Sequence, residues 1–90
     1  MTVERAPEAV FASVPGGGVV LHTGTKRYYS LNESGARIWA LLEETRDPAA
    51  TAARIATEYV LTPSDAEQAV EQLVSNFIAA GLMRAVSPTA

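Results

Sequence analysis

The chain has one histidine, His22, and no cysteine. Those two counts settle most of the chemistry that side chains could do here. A stable metal site takes several nitrogen, sulfur or carboxylate ligands at set spacings. His22 has no second histidine and no cysteine to join it, so it reads as an ordinary strand histidine. A Ser–His–acid constellation would have to be built on His22 alone, and the serines and threonines of the second half have no histidine beside them. Glu43 and Glu44 are adjacent on a helical segment and so diverge, which suits solvated surface better than a paired acid and base. The run "PGGG", Pro15 to Gly18, lacks the Lys-Ser/Thr of a phosphate loop and opens no helix, so it reads as a turn. Trp39 sits in a stripe with Ile38 and Leu42 and reads as core. No enzyme, metal or cofactor is expected.

What remains is a binding surface. The formal net charge is −3, which offers no general attraction to nucleic acid or to anionic membrane. The one basic pair is Lys26–Arg27. No apolar run approaches the roughly 20 residues of a membrane span. The first residues, "MTVERAPEAV", do not make a signal peptide, and the lack of cysteine fits a reducing compartment. A cytoplasmic protein is expected. Ninety residues make one domain, 1–90, with a core at about 8–85 and a frayed "SPTA" tail.

The elements that position this surface follow from pattern. "EAVFASV" at 8–14, "VVLHT" at 19–23 and "KRYYSL" at 26–31 read as strands, joined by Pro15–Gly18 and by a short hairpin connection at Gly24–Thr25. The period then changes. Asn32 is a helix cap, with Leu31 before it placed to staple onto Ala36, and a first helix runs from about Glu33 to Glu44. Its apolar face is Gly35, Ile38, Trp39 and Leu42. Asp47–Pro48 starts a second helix with the stripe Ala52, Ile55, Ala56, Tyr59 and Val60. Thr62–Pro63 starts a third, which runs to about Ala80 and stops at Gly81. Residues 82–86 either extend the sheet or cover the core. The expectation is an α+β domain: a three-stranded antiparallel sheet followed by three helices, like a winged helix-turn-helix.

That architecture invites a DNA-binding reading, and the charges oppose it. The third helix has no Lys or Arg and carries Asp65, Glu67 and Glu71. Phosphate contacts dominate nucleic-acid affinity, so a helix of this sign is repelled. The third strand, at the sheet's edge, is open to an added strand instead. On the third helix Ala66, Ala69, Val70, Leu73, Phe77 and Ala80 cluster within about 100° as a core stripe. Val74 and Ile78 fall further round, either lining a groove beside the strand or packing under residues 82–86. Strand alternation puts Tyr29 with Leu31 on the inner face and Tyr28 with Ser30 on the outer. A one-residue slip of the hairpin would exchange the two tyrosines.

The ordered set "YYSLNESGARIWALL", a polar break, an alanine-rich second helix and "AAGLM" at Ala79–Met83 resembles the PqqD-like family, the RiPP recognition elements of ribosomal peptide biosynthesis. The resemblance covers about residues 8–85. It implies a non-catalytic domain that binds the leader segment of a precursor peptide as a strand beside its third strand and against its third helix. Carried over, the peptide site is Lys26, Arg27, Tyr28, Tyr29, Ser30 and Leu31 with Val70, Leu73, Val74, Phe77 and Ile78. The spelling is most similar to stand-alone proteins of lasso peptide pathways, which implies a separate leader peptidase, and a cyclase after it, as partners. The alternative within the family is a PqqD-type chaperone for quinone cofactor synthesis. Outside it stand a winged-helix regulator and a small structural subunit. The family's usual Asp and Gly around the hairpin are replaced by His22 and Lys26, which bears on the conformation of the edge.

Overall fold

In a computed structural model, residues 2–86 are described. The tail at 87–90, expected to fray, lies outside them. Eight elements follow in order: β1 (Thr2–Arg5), β2 (Ala9–Val14), β3 (Gly17–His22), β4 (Arg27–Asn32), α1 (Glu33–Thr45), α2 (Pro48–Glu58), α3 (Pro63–Ala79) and β5 (Met83–Val86). The expected three strands and three helices are all present. A terminal strand pair, β1 with β5, adds to them.

The three-stranded sheet has the order β2-β3-β4, antiparallel throughout, with Phe11 opposite Val20 and Val20 opposite Tyr29. Its turns differ from expectation. Only Pro15 and Gly16 connect β2 to β3, because Gly16 takes φ 81° after a proline that presets its own φ. Gly17 and Gly18 join β3 instead. They are needed there: a Cβ on Gly18 would strike the Phe11 ring. The second connection spans Thr23–Lys26 rather than Gly24–Thr25, so Lys26 belongs to the turn and β4 begins at Arg27. Lys26 adopts φ 64° and its N–H donates to the His22 carbonyl at 2.7 Å, which closes the wider loop.

All three helix starts lie where the capping residues place them. Asn32 Oδ1 accepts from Gly35 N, Asp47 from Ala49 N, and Thr62 from Asp65 N. Leu31 lies near the first turn of α1: a Cβ added at Gly35 would meet the Leu31 side chain at 3.6 Å. α3 ends as Gly81 directs: Gly81 takes φ 76° and the Leu82 N–H donates to the Phe77 carbonyl at 2.8 Å. α2 ends earlier than its apolar stripe implied. Val60, at φ 54°, takes the left-handed position, and the Leu61 N–H reaches back to the Ala56 carbonyl. Tyr59 and Val60 are therefore exposed, Val60 at 91%.

Residues 82–86 cover the core, as one of the two expectations had it, but do not extend the three-stranded sheet: they form a separate pair with β1. Leu82 and Met83 are buried in the core, and β5 pairs with β1 at Arg5–Met83 through Thr2–Val86. β1 was not apparent from its four residues. Val3 is fully buried there, and its N–H donates to the Arg46 carbonyl at the end of α1. Thr51, the one fully buried polar residue among those described, shares a hydrogen bond with Thr45 at 2.9 Å across the α1–α2 junction. Outside the core, Arg37 makes two 2.8 Å hydrogen bonds to Glu58. These bonds hold the Glu58 carboxyl below the usual carboxylate range, against a smaller opposing effect of desolvation.

The core centres on Trp39. Its indole stacks on Phe11 of the sheet, with centroids 6.1 Å apart, and meets Phe77 of α3 edge-on at 5.0 Å. Such pairs add about 0.5–1.5 kcal/mol beyond area burial. The Trp39 Nε1–H is buried with no hydrogen-bond partner among the described residues, a cost of about 1–3 kcal/mol that the packing must exceed. Trp39→Ala is expected to destabilise the domain by about 3–5 kcal/mol, a large fraction of the stability of a chain this size. Urea denaturation followed by circular dichroism checks this, and a loss under 1 kcal/mol would contradict the central role of the indole.

Candidate leader-peptide groove

β4 lies at one edge of the sheet. An edge strand leaves a row of backbone N–H and C=O groups without sheet partners. Beside this edge runs a depression of about 500 Å³, lined by Tyr29, Ser30 and Leu31 from β4, Leu73, Asn76, Phe77 and Ala79 from α3, and Ala80 and Leu82 beyond it. Most of that lining is apolar, and Asn76 is the polar residue that α3 brings to it, while Ser30, whose side chain is on the outer face of β4, borders it along the strand. The inner face of β4 contributes Tyr29 and Leu31, both half-buried, as alternation predicts. Tyr28 points away and is 72% exposed.

The flank of α3 that faces this groove differs from expectation. Leu73 and Phe77 line it, while Val70, Val74 and Ile78 do not. Val70 is buried on the α2 side with Ala52 and Pro48. Val74 is also buried, and with Ile78 it borders a depression next to Pro48 at the start of α2. The physical reason is packing: α2 lies against the side of α3 that carries Val70 and Val74, so the free flank is the one that carries Leu73, Asn76 and Ala80. Asn76, Ala79, Ala80 and Leu82 were not among the candidates. Their signal was the Gly81 stop, which folds Leu82 back beside the last turn of α3.

At the start of β4, Lys26 and Arg27 are exposed and form no ion pair among the described residues. At its end, Asn32 is at once the last strand residue and the α1 cap. A Cβ on Gly17, its cross-strand partner, would run into the Leu31 carbonyl oxygen. The close approach of β3 to this junction therefore requires glycine. The other edge, β2, borders a shallower depression beside α1 that includes Glu33 and Arg37, and the Ala9 carbonyl on that strand is taken by Arg5. Among the described residues no group of three or more His, Cys, Asp or Glu could hold a metal ion, and no helix is long and apolar enough to cross a membrane.

A small winged helix-turn-helix-like domain with an open strand edge beside an apolar groove has the geometry to hold an extended chain. The chain belongs to the PqqD family: the model for coenzyme PQQ synthesis protein D matches residues 17–83. Two solved structures are similar over nearly their whole length. "TbiB1 in complex with the TbiA(beta) leader peptide" shares 26% identity, covers 93% of this chain and 98% of its own, and superposes with a TM-score of 0.85. "Lasso peptide synthetase B1 complexed with the leader peptide" shares 27% identity, with 94% and 100% coverage and a TM-score of 0.85. No curated protein matches the chain in sequence.

Gly17→Ala is expected to force β3 away from the end of β4 and to cost about 1–3 kcal/mol through overpacking. A denaturation midpoint within error of the parent protein's would show that the contact at Leu31 yields without strain.

Proposed function

We propose that this protein is a non-catalytic adaptor of lasso peptide biosynthesis. It binds the leader segment of a ribosomally made precursor and presents it to a separate leader peptidase, ahead of a cyclase. The observation that carries this reading is the open β4 edge beside a 500 Å³ apolar groove. Similarity along nearly the whole chain to two proteins whose structures hold leader peptides supports it.

The mechanism is strand addition. Backbone hydrogen bonds to β4 supply affinity that depends little on sequence, and side-chain pockets supply selectivity. Alternate residues of an added strand face the groove, where Tyr29, Leu31, Leu73 and Phe77 offer apolar contact and Asn76 offers hydrogen bonds. Lys26, Arg27 and Tyr28 flank the entry. With no carboxylate among the described residues pairing with them, Lys26 and Arg27 attract an acidic leader and raise its association rate more than its final affinity. The acidic α3 opposes duplex DNA.

Titration of a fluorescent leader peptide, and separately of duplex DNA, tests the reading. Leader binding at micromolar affinity or tighter is expected, with no DNA binding at matched salt. Leu73→Asp places a charge in the groove and should weaken the leader at least tenfold with the fold retained. Ile78→Asp lies on the other flank and should leave affinity within twofold. Loss of affinity in Ile78→Asp but not Leu73→Asp would move the site to the α2 side, and salt-sensitive DNA binding without leader binding would overturn the function.

A further inference from the structure

His22 lines neither wall of the groove, yet it touches the ends of both. Its Nδ1 accepts from the backbone N–H groups of Gly24 and Thr25, each at 3.1 Å. Its carbonyl accepts from Lys26 N, and its backbone pairs with Arg27, the first residue of β4. The far side of the ring lies against Gly81: a Cβ there would sit 3.3 Å from Nε2. Gly81 is the turn that leads α3 into Leu82. One half-buried imidazole therefore spans from the turn that starts β4 to the turn that ends α3.

We infer that His22 is the positioning residue of the groove: the neutral ring, accepting through Nδ1, holds the turn from which the β4 edge begins, and protonation releases it. This rests on the reading of β4 as the docking edge. A ring nitrogen that accepts carries no proton, so the bonded form has its hydrogen on Nε2. In imidazolium both nitrogens are donors, and Nδ1–H would then face two amide N–H donors. Imidazole is the side chain whose ordinary charge change falls between about pH 5 and 8. The charged residues around it are few. Arg27 lies directly across on β4, Lys26 is in the same turn, and Glu8 precedes β2, where its carbonyl accepts from Thr23. The last turn of α3 and the Gly81 turn bring no charge. No carboxylate among the described residues forms an ion pair with the ring.

The test compares the parent protein with His22→Asn and His22→Ala between pH 5 and 8. Asn carries an oxygen acceptor where Nδ1 stands and does not titrate. In nitrogen-15 NMR spectra, the Gly24 and Thr25 amides of the parent should shift together with the His22 ring titration. They should stay flat with pH in His22→Asn and take the released position at every pH in His22→Ala. Leader affinity of the parent should fall about tenfold from pH 7.5 to 5.5, the scale of one or two lost hydrogen bonds. His22→Asn should bind as the parent does at pH 7.5 and lose little on acidification. Amides of the parent that ignore the ring titration, or an equal acid loss in His22→Asn, would overturn the inference. Should no variant bind leader at any pH, the proposed function fails, and the amide shifts alone decide whether His22 clasps the turn. Should His22→Ala not fold, the parent and His22→Asn decide it.

Discussion

The indole of Trp39 is the contact on which the rest of the architecture rests. A three-stranded sheet with one covered face and three short helices has little interior, and a chain of this length buries a limited share of its surface. Trp39 touches both layers at once, stacked on Phe11 and edge-on to Phe77. The sheet and α3 are thereby fixed relative to each other with β4 left at the rim. The groove is the gap that this arrangement leaves between β4 and the free flank of α3. Its floor, Phe77, is the same ring that meets the indole, so core packing and the shape of the groove share a residue.

Rigidity of the edge comes from the junction at Asn32. A strand that ran into a flexible loop would present a mobile edge, and ordering it would subtract from binding. Here Asn32 ends β4 and caps α1 in one residue, and Gly17 lets β3 lie close enough to clamp that end. The other end of β4 is held by a turn whose residues, Thr23 to Lys26, are all exposed, and polar contacts to His22 tie it down. The two ends of the proposed docking strand are thus secured by different physics, one by helix capping and packing, the other by hydrogen bonds to a titratable ring.

Much of the fold was legible because its signals are local. Asn32, Asp47, Thr62 and Gly81 each satisfy backbone groups within a few residues, so sequence alone marks where the helices begin and where α3 ends. The split of Tyr28 from Tyr29 follows from strand alternation. β1 was not legible, since its four residues gain meaning only from β5, about eighty residues away along the chain. The end of α2 was misread because an apolar stripe does not show that Val60 adopts a left-handed conformation, rare for a β-branched residue.

Sequence determined the inventory: no side-chain set for metal or nucleophilic chemistry, a strand that turns directly into a capped helix, and an acidic α3 whose apolar residues Val74 and Ile78 extend beyond its core stripe. Tertiary structure decided which of those apolar residues are free. Leu73 and Val74 are neighbours on one helix, and periodicity assigns each to a face without saying what will cover it. α2 covers Val74 and leaves Leu73 beside β4. Covering is a property of how helices cross and where their connections allow them to lie, and no spacing within a single helix encodes it.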